Sequence, residues 1–197
     1  MNVQEEIDRV IRYGQQLQDL LDGKELELSG DRDALLIAHW NLLLDYHVAI
    51  VTLLAQELHG AAFALMRPII EAWVRIHIAK MGSDEEVLAI KEDKYRVDFK
   101  TVGAQIDGAF ALSGFFEKTL LESRVALHSY THSGNFQIAR RFQGYSQGAI
   151  LNVIEGSMTA LFMASIVLTK HFGFEDEWRA TTELFSEYNK RQLEVPE

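Results

Sequence analysis

Apolar side chains recur about every 3.6 residues along almost the whole chain, and only two prolines, Pro68 and Pro196, interrupt it. That recurrence builds one apolar stripe per helix, and the strict alternation a half-buried strand needs finds little support. The pattern predicts an all-α chain arranged as an up-and-down helical bundle with additional helices. A first helix is expected over residues 2–22, with Val3, Ile7, Val10 and Leu17 on one side and Gly23 as its stop. A polar loop over 23–30 precedes a long second helix, 31–59, and a third, 61–81, bent by Pro68. Ser83 and Glu86 spell a capping box that opens a fourth helix reaching Asp107, and Ser113 caps a fifth that runs to His132. A short basic helix over 136–142 and two more, 146–171 and 174–191, complete the chain.

With 197 residues the chain suits a single domain, read as 1–197 throughout. It contains no cysteine, which removes disulfides, thiolate metal sites and cysteine nucleophiles and fits a reducing, cytoplasmic setting. The start lacks the apolar core of a signal peptide. Residues 149–169 form the most apolar stretch, but Asn152 and Glu155 interrupt it, so a buried bundle helix is expected rather than a membrane span. A net charge of −10 argues against non-specific DNA binding, because such affinity comes from Lys and Arg neutralising phosphates. Arg140 and Arg141 remain as a local basic pair.

The residues that carry chemistry gather in two segments. On the fifth helix Arg124, His128 and His132 fall about 40°, 80° and 120° from Leu120 on a helical wheel. Phe116, Leu121, Val125 and Leu127 bracket them, which predicts that they lie inside the apolar wedge. On the third helix Arg67, Glu71 and Arg75 repeat at four-residue spacing, so that Glu71 pairs with either arginine, as a solvated stripe or as a polar wall facing His128 and His132. His77, among Met66, Ile70 and Trp73, reads as a core histidine. The second helix carries His39 and His47 on the face of Leu36, Leu43, Ile50 and Leu54. His47, His128 and His132 therefore form a candidate set of imidazoles for a divalent metal. Gly144-Tyr145-Ser146-Gln147-Gly148 has the letters of a nucleophile elbow without the strand that an elbow needs, and Ser146 is expected to cap the helix after it.

Met66-Arg67-Pro68-Ile69-Ile70-Glu71, followed later by Tyr130-Thr131-His132-Ser133-Gly134, Gln137 and Arg140-Arg141, resembles an uncharacterised family of bacterial all-helical proteins over residues 35–142. The resemblance implies that Arg67, Glu71, Thr131, His132, Gly134, Gln137 and Arg140 belong to one place. The histidine set with its later Gln137 is similar to DinB-like metal-binding bundles, and the Arg32 to His39 spacing has a HEPN-like ribonuclease or toxin flavour. The combined expectation is a cytoplasmic homodimer with a polar His/Arg/Glu cleft for a small anionic ligand, a nucleotide or an RNA phosphate. In it Arg67, Thr131, Gly134, Gln137 and Arg140 bind, while His132 and Glu71 stand where proton transfer would occur. The alternatives are a metal-binding bundle, a ribonuclease, and an interaction protein whose histidines only pack.

Overall fold

The computed structural model describes residues 2–110, 114–132 and 134–193, and among these every regular element is a helix. They are α1 (Val3–Leu21), α2 (Asp31–Ala55), α3 (His59–Ala64), α4 (Met66–Met81), α5 (Asp84–Lys91), α6 (Phe99–Phe110), α7 (Phe115–Thr131), α8 (Asn135–Gln143), α9 (Gln147–His171) and α10 (Glu175–Leu193). Several ends follow from caps written in the sequence. Asn2 accepts from the Gln4 amide, Ser83 and Glu86 close both halves of their capping box, and the Ser146 hydroxyl accepts from the Ala149 amide. Ser146 is therefore a cap, as its strandless context implied. The expected cap Ser113, together with Ser133 and the side chains of Phe116, Val125 and Arg141, lies outside the described residues.

Three expected helices divide or end early. α2 stops at Ala55 rather than at His59, because Glu57 turns left-handed (φ 58°) and sends the chain into α3. Pro68 does not bend a continuous helix. It sits in the first turn of α4 after a break at Leu65, where its missing N–H costs little. The expected fourth helix is two, α5 and α6. The left-handed Asp93 (φ 53°) ends the first, and Asp98 starts the second by accepting from the Lys100 amide and the Thr101 hydroxyl.

The bundle is organised around α9. Asp33 on α2 reaches His171 (2.7 Å), Trp40 Nε1 donates to Ser165 Oγ (2.9 Å), and His47 Nδ1 pairs with Ser157 Oγ (3.0 Å). The residue numbers rise on α2 as they fall on α9, so the two run antiparallel. Arg32, at the start of α2, donates to the carbonyls of Ala79 and Gly82 at the end of α4, which makes α4 antiparallel to α2 as well. α10 returns along α9 and docks on α1, where Arg9 donates to the Tyr188 carbonyl and the Tyr188 hydroxyl to Glu6. Ile154, Met158, Leu161 and Phe162 of α9 are fully buried among these neighbours. α2 and α9 are both long and apolar enough to cross a membrane, and α9 turns that apolar surface into the centre of the bundle.

A hairpin of α6 and α7 leans on the bundle through α3 and α4. Its two helices approach so closely that a Cβ on Gly103 would lie 2.5 Å from the Glu117 Cα, and Asp107 of α6 accepts from the Glu117 amide in the first turn of α7 (2.9 Å). The hairpin thus supplies its own N-terminal cap from across the interface.

Candidate functional site

Between α4, the segment entering α6, and α7 lies a cavity of about 890 Å³ lined by ten residues. Arg67 comes from α4, Arg96 and Lys100 from either side of the start of α6, and Arg124 and His128 from α7. Val97, Phe99, Leu121 and Leu127 supply its apolar wall. Among the described residues Asp98 is the one carboxylate in this lining, and its charge is already engaged. The Thr101 hydroxyl, then the Lys100 amide, hold its carboxyl below the usual range, with Arg124 adding to the effect against a small burial penalty. Four permanent cations and an imidazole thus line a concave surface whose acid is turned into a helix N-terminus, on a protein of net charge −10.

Arg67 is the pivot. Its Nε donates to Glu71 Oε1 (2.8 Å) and its Nη1 meets His128 Nδ1 (3.0 Å). A guanidinium only donates, so His128 Nδ1 accepts and a neutral imidazole carries its proton on Nε2. Glu71 therefore fixes the plane of the fork, and Arg67 keeps its remaining N–H groups for a ligand. Arg75 does not compete for Glu71. It lies half-buried one turn on, where its field acts on His39 and Tyr95.

The structure revises the surroundings of the α7 histidines. His128 and His132 are exposed, their rings 4.5 Å apart, and Arg124 is exposed too. Among the described residues, the buried side chains of α7 are instead Leu120, Leu127, Ser129 and Tyr130. Leu121 is 37% exposed because the wall it belongs to is that of the cavity. The apolar wedge on the helical wheel thus merges two surfaces, a packed one and a hollow one. His132 is the C-terminal cap residue of α7 and does not line the cavity.

The metal set does not assemble. His47 is 2% exposed, wedged between Ser157 of α9 and Gly14 of α1, and burial pushes its pKa down to about 4 against a backbone contact with Val10 that works the other way. It borders a separate cavity between α1 and α2. Among the described residues no three His, Asp, Glu or Cys side chains are placed to share an ion.

The residues after His132 also separate from Arg67. The Thr131 hydroxyl donates back to the Leu127 carbonyl (2.9 Å), a bond within its own helix. The Gly134 amide donates to the Ser129 carbonyl (2.7 Å), closing the turn after α7, and a Cβ there would fall 2.6 Å from Ser129 Oγ. Glycine at 134 is thus explained by a close approach. Gln137 Nε2 donates weakly to the Gly60 carbonyl (3.4 Å), tying α8 to α3. Arg140 lines a smaller cavity of about 240 Å³ with Glu57, His59 and Tyr145, which shares no lining residue with the first. Of the seven residues expected in one place, Arg67 and Glu71 meet at the cleft, and Gln137 and Arg140 serve the neighbouring face of α3.

Arg32 and His39 do not form an exposed pair either. Arg32 clamps the end of α4 and pairs with Asp84, while His39 is 9% exposed, with both ring nitrogens unpartnered. Sequence reasoning missed Arg96 and Lys100. They fall in a segment read as continuous helix, and only the break at Asp93 swings them toward α7.

The fold and the cleft define an all-α helical protein with a cationic cavity beside its core bundle. No family model, no curated protein and no solved structure matches the chain.

Proposed function

We propose that the cleft between α4, α6 and α7 binds a phosphate-bearing ligand of nucleotide size. The observation that carries this reading is the lining itself: Arg67, Arg96, Lys100, Arg124 and His128 around about 890 Å³, with Asp98 in the lining and Glu71 paired to Arg67. A volume of several hundred Å³ suits a small molecule. Arginine forks match phosphate oxygens in pairs, whereas an isolated lysine acts as a point charge. The apolar side, Val97, Phe99, Leu121 and Leu127, gives a nucleobase or another flat apolar group a surface to lie on. In this reading Glu71 positions Arg67, and His128 donates from Nε2. His132 braces the His128 ring. The role is recognition, with no proton transfer required.

Calorimetric titration with a nucleoside triphosphate, the matching monophosphate and a short single-stranded RNA tests it. Binding should strengthen with phosphate number and weaken as salt rises. The Arg67→Ala/Arg124→Ala double variant should lose at least about tenfold in affinity, the effect of removing charge-assisted contacts worth about 1.5–3 kcal/mol each. Failure of all three probes to bind at low salt, or equal binding by the double variant, would refute the reading. RNA binding without nucleotide binding would move the ligand from a free nucleotide to a strand.

A further inference from the structure

A second constellation lies away from the cleft, where the ends of α4 and α9 meet the start of α2. His171, the last residue of α9, places Nε2 2.7 Å from Asp33 Oδ1 and Nδ1 2.9 Å from Lys80 Nζ. The far oxygen of Asp33 is held by the Ser29 hydroxyl (2.6 Å) and the Ser29 amide (2.8 Å). Along this chain of contacts His171 lies 138 residues from Asp33 and 91 from Lys80 in sequence, so no helical periodicity brings the three together. Asp33 is buried, His171 is half-buried with its ring edge against Phe172, and Lys80 is exposed in the last turn of α4.

The order matters chemically. A buried carboxylate fixes the imidazole so that Nε2 carries its proton, and the other ring nitrogen faces an amine that solvent can reach. This is the arrangement of nucleophile, base and orienting acid that activates serine and cysteine hydrolases, with an amine in the nucleophile's place. Asp33 is held ionised, at about 2, chiefly by the Ser29 hydroxyl and then by His171, so it stands ready to stabilise an imidazolium. None of the three residues lines the cleft or the two other cavities described above. A small reagent reaching the exposed amine needs none.

We propose that Lys80 is an acyl-acceptor lysine, activated by His171 and Asp33, which activated acyl donors of the acyl phosphate class modify ahead of the other lysines. The Lys80 ammonium passes one proton to His171 Nδ1, and the amine so formed attacks the acyl carbon. The N–C bond forms as the bond from acyl carbon to phosphate oxygen breaks. The second proton leaves with the phosphate as hydrogen phosphate, and the imidazolium returns its proton to water. The products are an amide on Lys80, hydrogen phosphate and one proton, with no redox change.

Acetyl phosphate is the probe. The folded full-length protein is exposed at neutral pH, and initial acetylation rates at each lysine are read by peptide mass spectrometry. Lys80 should react at least about tenfold faster than the exposed Lys94 and Lys190, within the range that a positioned base supplies. That ratio should fall to near one in His171→Gln, with far-UV circular dichroism unchanged. Should that variant fail to fold, the native protein in urea serves instead, since unfolding should erase the preference. A Lys80 rate no higher than that of Lys190 in the folded protein, or a preference that persists in His171→Gln or in urea, would overturn the proposal.

Discussion

The seam between α2 and α9 and the cleft bordered by α4, α6 and α7 use the same residue types to opposite ends. In the seam, polar side chains recur seven residues apart on α2, at Asp33, Trp40 and His47, and each finds one partner on α9. Those bonds are short, mostly buried and saturated. In the cleft, Arg67 bridges Glu71 and His128 but keeps donors in reserve, and Arg96, Lys100 and Arg124 face a hollow with Asp98 already committed elsewhere. His47 in the seam is one more core residue, made neutral by burial. On α7 it is a surface donor oriented by an arginine. The lesson is that residue type carries little about role here, whereas the state of a group's hydrogen-bonding capacity carries much.

Acid should break this comparison most forcefully. Burial pushes His47 and His77 down to about 4 from an ordinary 6.5, and His39 likewise, with Arg75 adding to the effect. Between those values the unfolded chain binds protons that the native state refuses, so stability falls as pH drops from about 6.5 toward 4, and Asp33, held at about 2, carries the loss further below. At about 1.4 kcal/mol per unit, each imidazole costs on the order of 3 kcal/mol, and the three together match the whole stability of an ordinary domain. Urea titrations across pH 7 to 4 check this. A midpoint that holds constant over that window would mean that the buried histidines are reachable by protons in the native state.

Gly103→Ala should come next and should divide the two regions. Its new Cβ would collide with the backbone of Glu117, forcing α6 and α7 apart at a cost of about 1–3 kcal/mol. Because the hairpin carries Lys100, Arg124 and His128, three of the five cationic or imidazole groups of the cleft, phosphate-ligand affinity should fall further than thermal stability of the bundle. Calorimetry beside a thermal melt separates the two readouts. Equal losses in both would make the hairpin an integral part of the core. A smaller effect belongs to His39→Leu. The orphaned ring nitrogens gain nothing from burial, so the variant should be within about 1.5 kcal/mol of the native protein at pH 7, as a volume-conserving change. It should also remove one proton's share of the acid slope, which the same urea series would reveal.

The fold was largely legible in the sequence because helix signals are local. Ser83 with Glu86, Asn2 and Ser146 act on residues within one turn, and a reader of the chain sees both partners. The breaks at Glu57 and Asp93 were not legible. Neither is a glycine or proline, and both adopt left-handed geometry because the chain must reverse there to pack α3 and α6. The cleft was half legible for the same reason. Arg67, Glu71 and His128 announce themselves by spacing, whereas Arg96 and Lys100 gain their place from a turn the sequence does not mark. The error over His47 has a related source. A helix face shows which side points inward but not which neighbour it meets, and His47 meets α9 while His128 meets α4.

The smallest expected effect sharpens the comparison within the cleft itself. His128 and His132 are adjacent on α7, both exposed and in ring contact, yet only His128 touches Arg67 and lines the cavity. Removing His128 deletes an acceptor that holds the Arg67 fork together with a donor to the ligand, so His128→Ala should weaken phosphate-ligand affinity by about tenfold, one charge-assisted contact. His132→Ala removes only a ring that braces its neighbour, and should change affinity by less than about threefold, the scale of a single aromatic contact. Paired titrations of the two variants against the same nucleoside triphosphate decide the matter. If His132→Ala were the more damaging, the working group of the cleft would sit at the end of α7 rather than one turn before it, and proton transfer at His132 would replace recognition by Arg67 and His128 as the property to explain.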